Sequence, residues 1–206
     1  VYKRQVQRSW RLFLEPNTES MWLTRDEWRA LVPTDPAKGQ RLAVDAKIAT
    51  RMARFHLNPK RSTTSEGGIV HPKKVHTARL EIVVEDVTER SISMRVEGEI
   101  SWGSEFDAAA ATTPDGPLPL GYAAPVLGRL EFDRVRGEFQ RFDLVAAGHV
   151  WGRWGDANGK SMYVERPGRT PFGFAFELAG GDSPTDRIPP GGNGRYVSDR
   201  AGYFGQ

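Results

Sequence analysis

The sequence predicts a β-dominated α+β fold: a strongly curved antiparallel sheet, a half-barrel or open barrel of about six to eight strands, with one amphipathic helix packed on it. Three observations carry this. From residue 76 onward apolar residues recur at every second position over long runs. No helical pattern separates successive strands there, and a parallel sheet would need one. The one sustained helical stripe lies upstream, at residues 46–56.

The elements follow in chain order. Ser9-Trp10-Arg11-Leu12-Phe13-Leu14 reads as a strand stopped by Pro16. Thr24-Arg25-Asp26-Glu27 fits a capping box, in which Thr24 accepts from the Glu27 backbone N–H and Glu27 reaches back. Pro33 keeps that helix short, and Trp28 and Leu31, three apart, share its buried face. Asp45 then caps the helix at 46–56, where Ile48, Met52 and Phe55 form a stripe with Ala49 and Ala53 beside it. Lys47, Arg51 and Arg54 fall largely off the stripe, and Asn58-Pro59 ends the helix. Residues 57–75, with Ser62-Thr63-Thr64-Ser65 and Gly67-Gly68, read as a mobile loop.

Ala78, Leu80, Ile82 and Val84 alternate with charged residues, Asp86 to Arg90 forms a turn, and Ile92, Met94, Val96, Gly98, Ile100 and Trp102 continue the apolar phase. One apolar and one charged face is the mark of a half-solvated hairpin. After an Ala/Thr/Pro-rich excursion at 103–121, a second hairpin runs through Ala124, Val126, Gly128, Leu130 and Phe132, turns near Val135-Arg136-Gly137, and returns through Phe142, Leu144, Ala146, Gly148 and Val150. Phe139 is out of phase, which predicts a bulge between Phe139 and Phe142. A turn near Val135 pairs Gly128 with about residue 142 or 143. Met162-Tyr163-Val164 reads as a short strand, and Phe172, Phe174, Phe176 and Leu178 as the last. Gly98, Gly128 and Gly148, each inside an apolar strand face, read as bends that curl the sheet.

The organisation expected is a single β-rich domain over 6–180, preceded by a foreign pentapeptide and followed by a Gly/Pro-rich disordered tail over 181–206. Val1-Tyr2-Lys3-Arg4-Gln5 matches one reading frame of a transposase adapter used in DNA sequencing, GTG TAT AAG AGA CAG, and is read as a scar at residues 1–5. Removing Lys3 and Arg4 from the 29 basic residues leaves 27 against 26 acidic ones, so the net charge of +3 is a poor argument for a polyanionic partner. The tail holds three prolines and six glycines in 26 residues.

Composition removes several function classes. With no cysteine among 206 residues there is no disulfide framework, thiol nucleophile or thiolate metal site. No apolar run approaches the ~18 residues that a spanning helix needs. His56, His71, His76 and His149 show no recognised ligand spacing, so neither metal nor cofactor is expected. His56 reads as a charge favoured at a helix end. Asp156-x-Asn158-Gly159 resembles the start of a calcium loop, but Glu165 comes too early for its last ligand, and a hairpin turn accounts for it. Lys60, Arg61, Lys73 and Lys74 with Arg51 and Arg54 form a basic cluster that reads as solvated surface. No RNP-like or helix-turn-helix pattern accompanies it, so nucleic acid is not an expected partner.

The candidate ligand-binding residues are Trp102, Trp151, Trp154 and His149. Trp151-Gly152-Arg153-Trp154-Gly155 could offer indoles to an apolar or glycan ligand; in the competing reading the indoles plug the mouth of the sheet, their N–H groups bonded to loop carbonyls. No catalytic residue is marked. There is no Gly-x-Ser-x-Gly, His-Glu-x-x-His or phosphate loop. A dispersed hydrolase site would require His149 to converge with Asp143 or Glu131.

Asp26-Glu27-Trp28-Arg29-Ala30-Leu31-Val32-Pro33, with Leu127-Gly128-Arg129-Leu130-Glu131-Phe132-Asp133 and Phe142-Asp143-Leu144-Val145 far downstream, resembles an uncharacterised family of bacterial β-rich domains found in exported proteins. The resemblance implies a periplasmic or extracellular home and brings no activity or site residue. The expected function is a non-catalytic binding or interaction module. The hydrolase and an envelope structural module, with the tail as a linker, are the alternatives.

Overall fold

The computed structural model describes residues 20–58, 69–111, 119–154, 164–182, 184–187 and 200–205. The adapter-like pentapeptide, the strand read at 9–14, the Ser62–Ser65 and Gly67-Gly68 stretch and the turn at 156–159 lie outside them.

Six antiparallel strands form one sheet in which spatial order equals chain order: β1 (Arg41–Ala43), β2 (Val75–Val87), β3 (Ser91–Gly103), β4 (Gly121–Asp133), β5 (Glu138–Trp154) and β6 (Val164–Phe176). The sheet is open, with β1 and β6 as its edges. The alternation of apolar and polar residues sets the faces. Leu80, Ile82, Ile92, Met94, Val96, Ile100, Val126, Leu130, Leu144 and Val150 are buried on one face, and helical residues Ile48, Ala49, Met52 and Ala53 complete that core.

The short helices form for local reasons. Helix α1 (Arg25–Arg29) carries the expected capping box: the Glu27 N–H donates to Thr24 Oγ1 at 3.2 Å and the Thr24 N–H donates to Glu27 Oε2 at 2.8 Å. Its Trp28 meets Phe132 and Phe139 with ring centroids 6.5 and 6.1 Å away, beside the β4–β5 turn. Asp45 caps α2 (Ala46–Arg51), accepting from the Lys47 N–H at 2.8 Å. The single α-helix expected over 46–56 is corrected: Met52–His56 is a π turn closed by the Leu57 N–H on the Met52 carbonyl. Widening a turn in this way re-aims the side chains that follow it.

The β4–β5 hairpin closes over Arg134–Gly137. Asp133 Oδ1 accepts from the Val135 and Arg136 N–H groups, and Gly137 supplies a left-handed φ of 71°. The register jumps from Phe132↔Phe139 to Glu131↔Arg141, leaving Gln140 as the extra residue of the expected bulge. That extra residue is also why Gly128 faces Leu144 rather than 142 or 143. A Cβ on Gly98 would lie 2.0 Å from the Arg79 carbonyl oxygen, and one on Gly148 2.0 Å from that of Ala123. These positions are glycine because neighbouring backbone occupies the side-chain space.

Two expectations change at the C-terminal end. The pieces read separately at 162–164 and 172–178 are joined: β6 runs without a break from Val164 to Phe176 through Pro167 and Pro171, while Met162 and Tyr163 lie outside the described residues. Proline is tolerated there because β6 is an edge; Pro167 also sits in a bulge, where Trp151 alone faces residues 167–169. Within the segment read as a disordered tail, residues 184–187 form a 3-10 turn and α3 (Arg200–Phe204) is helical, with Tyr203 buried.

Candidate functional site

The pleat of the sheet sends the candidate residues to different places. Trp102, on the core face, is 3% exposed; its indole N–H donates to the Leu57 carbonyl at 2.9 Å, and its ring lies 6.2 Å from Tyr122. Trp151 falls one row further along, in the opposite phase. It is 6% exposed, donates to the Ser104 carbonyl at 3.0 Å, and packs edge-on against Phe106 beneath the Arg169 guanidinium. Both indoles therefore bond loop carbonyls, as the plugging reading requires. His149 is exposed between Ala123 and Pro171 on the outer face. Trp154 pairs with Val164 at the end of β5, and its side chain lies outside the description. Trp102 thus lies on the core face, whereas His149 and Trp151, two positions apart on β5, share the opposite one.

Trp102 does border a cleft of about 240 Å³, with Asn58, Val70, His71, Lys74, Ser104 and Leu120 in its wall. Lys74 and His71 stand at its exposed rim. His71 is held in place because its Nδ1 accepts the Lys73 N–H at 3.2 Å.

The outer face carries a feature that the alternation did not reveal. On β1–β3 and around the β4–β5 turn that face is ionic. Arg41 pairs with Glu81 and Glu97, Arg95 with Glu85 and Glu97, and Arg141 with Asp143 and Glu131. Between these groups the outward positions of β4–β6 are Ala123, Pro125, Leu127, Val145, Ala147, Pro171, Gly173 and Ala175, with His149 alone among them. Leu127 is 59% and Val145 49% exposed, and the two are cross-strand neighbours. Three strands at ~4.8 Å spacing and three outward rows ~6.8 Å apart make an apolar strip on the order of 300 Å². The signal was present in Tyr122-Ala123-Ala124-Pro125-Val126-Leu127 and Leu144-Val145-Ala146-Ala147, apolar in both phases where a one-faced strand would alternate.

The geometry does not assemble the hydrolase site. His149 and Asp143 lie six residues apart on β5, about 20 Å at strand rise. Asp143 and Glu131 both face Arg141. Among the described residues no group of three His, Asp or Glu side chains could hold a metal ion, and no helix is long and apolar enough to cross a membrane.

A buried polar cluster was missed. Arg51, read as part of the solvated basic cluster, is fully buried. Its guanidinium grips Glu27 through both terminal nitrogens, donates from Nη1 to the Trp22 carbonyl at 3.2 Å and from Nε to the Tyr203 carbonyl at 2.7 Å. It also lies over the Tyr203 and Phe204 rings. Burial works against the Glu27 charge, but the bonds from Arg51 and Thr24 prevail and hold its carboxyl below the usual range. His56, read as an exposed helix-end cation, is buried, with Nε2 2.7 Å from Tyr203 Oη. Burial first, and the Arg51 charge second, push its pKa down to about 3, so it stays neutral. Nothing local could have announced this cluster, because the partners of Arg51 lie 24 and 152 positions away.

Fold and surfaces together define an open antiparallel meander with short helices on its apolar face. No protein-family model, curated protein or solved structure matches the chain. The resemblance to exported bacterial β-rich domains therefore rests on the quoted segments alone.

Proposed function

We propose that the chain is a non-catalytic binding or interaction module whose contact surface is the outer strip of β4–β6. The observation that carries this is the exposed pair Leu127 and Val145, set in a face otherwise lined with ion pairs. An apolar strip of ~300 Å² lies at the lower end of the ~300–600 Å² spanned by the largest patch on a typical monomer, and such patches are often functional. Arg41, Arg95 and Arg141, on either side of the strip, are paired within the chain, and the strip itself suits an apolar, uncharged partner. An exported bacterial setting belongs to this reading only through the resemblance.

A second reading, a small glycan at the Trp102 cleft, is favoured by the Lys74, His71 and Ser104 groups around its opening. One titration separates the two. A short-chain alkyl glucoside, kept below its micelle concentration, offers both a tail and a sugar to labelled protein. Amide shifts at 125–127, 145–147 and 173–175 that Leu127→Asp removes support the strip. Shifts confined to 70–74, 102–104 and 119–120 move the site to the cleft. A flat titration, with spectra unchanged across protein concentration, overturns both.

A further inference from the structure

The walls of the Trp102 cleft are pinned by the fold. Val70 is held to Arg54 through both backbone groups: its N–H donates to the Arg54 carbonyl at 3.1 Å and its carbonyl accepts from Arg54 Nε at 2.8 Å. The Trp102 indole N–H is fixed on the Leu57 carbonyl. Past Gly103, whose φ of 91° ends β3, the Ser104 N–H donates to the Leu120 carbonyl at 3.0 Å and the Ser104 carbonyl accepts from Trp151. The 3-10 turn Pro72–Lys74 builds the rim, and three residues per turn set His71 and Lys74 on one side of it.

Among the described residues, Lys74 Nζ, His71 Nε2 and Ser104 Oγ meet no partner. His71 Nδ1 accepts the Lys73 N–H, so the neutral ring carries its hydrogen on Nε2. All three unengaged groups can therefore donate, and Lys74 brings one positive charge. No acidic side chain stands among the described residues of the wall, and Val70, Trp102 and Leu120 give it an apolar floor.

We propose that this cleft is a second binding site, separate from the outer strip, for a small carboxylate with an apolar body. Lys74 supplies the counter-charge, the His71 Nε2–H and the Ser104 hydroxyl bond the carboxylate oxygens, and the floor takes the body. A carboxylate fits because its one charge meets one ammonium and its two oxygens accept from all three donors. A neutral sugar would leave the ammonium unanswered, and a phosphate monoester would bring a second charge where the wall has no second lysine. The volume of about 240 Å³ lies below the ~300 Å³ at which drug-sized pockets begin, so the ligand is a single small acid. The site stands whether or not the strip binds.

Titration of benzoate at pH 7.5 into the labelled full chain tests this, with benzamide as the uncharged isostere and acetate as the acid without a body. Benzoate should shift the amides of 70, 71, 73, 74, 102–104 and 120, and bind about tenfold more tightly than either comparator. Lys74→Gln, at an exposed position, should weaken benzoate about tenfold and leave benzamide unchanged. Lys73→Gln, outside the wall, should change benzoate binding by less than about twofold. Benzamide or acetate binding as tightly as benzoate overturns the proposal, as does a benzoate affinity that Lys74→Gln leaves unchanged or that Lys73→Gln lowers equally. No shifts at the cleft, or shifts confined to 126–127 and 145–147, overturn it too, the latter by placing the acid on the strip.

Discussion

Glu27 Oε2 accepts two hydrogen bonds of different kinds: the Thr24 backbone N–H at 2.8 Å and Arg51 Nη1 at 2.9 Å. One carboxylate thus closes a helix cap and neutralises a buried guanidinium. The cap at α1 and the face of α2 are joined through a single side chain.

Glu27→Gln should therefore cost more than loss of the cap. Removing one partner of a buried ion pair leaves the other charge stranded, at about 3–5 kcal/mol. Thr24→Ala, which removes only the cap hydroxyl, should cost about 1 kcal/mol. Urea unfolding of the two variants checks the order, and equal losses would show that Arg51 does not depend on Glu27.

Acid should weaken the whole fold through His56. Its folded pKa of about 3 lies below the unfolded value of 6.5, so the unfolded chain binds the proton more readily in between. The stability linked to a neutral His56 is complete above pH 6.5 and is lost as pH falls towards 3, at up to about 1.4 kcal/mol per unit. Glu27, whose pKa is lowered from 4.5, adds a loss of the same sign below that value. Urea midpoints measured from pH 7.5 to 4 should fall in the unaltered chain and fall less in His56→Gln.

Gly98→Ala should destabilise by about 1–3 kcal/mol, because its Cβ meets backbone that cannot retreat without moving β2. Gly168→Ala on the edge strand has nothing within 4 Å and should stay within about 0.5 kcal/mol. Thermal unfolding of the pair distinguishes a packing constraint from a general intolerance of substitution in strands.

Leu127→Asp and Val145→Asp should leave stability within about 0.5 kcal/mol, since both side chains are about half exposed or more. The same changes should abolish alkyl-glucoside shifts along the strip. Unchanged shifts in the double variant would remove the strip from the proposed function.

Local patterns were legible in the sequence and distant ones were not. The Thr24–Glu27 box, the Asp45 cap and the Gln140 bulge depend on residues within a few positions of each other. The β2–β3 and β4–β5 hairpins follow from alternation and short turns. Strand β6 reads as two pieces in the sequence; it holds Pro167 and Pro171, which its place at the edge of the whole sheet and the bulge at Pro167 permit. Arg51 reads as solvated surface and His56 as a helix-end charge because the groups that surround them arrive from residues 22–27 and 203. The outer strip is present in the sequence as a second apolar phase of β4 and β5, weaker than the inner one because it is built of Ala, Pro and Gly beside Leu127 and Val145. Trp102 and Trp151 stand out by their chemistry, and in the fold both are buried with their N–H groups bonded to the Leu57 and Ser104 carbonyls, while Trp102 still borders a cleft.

The agreement of spatial order with chain order has a kinetic meaning. Each strand from β2 onward can zip onto the one made just before it, so the sheet can grow in step with synthesis from few long-range searches. The Arg51–Tyr203 bond is different, since it closes a separation of 152 positions. Its entropic cost falls at the end, after every strand is in place. A chain cut after Phe176 would contain all six strands while Arg51 still lacked its Tyr203 partner.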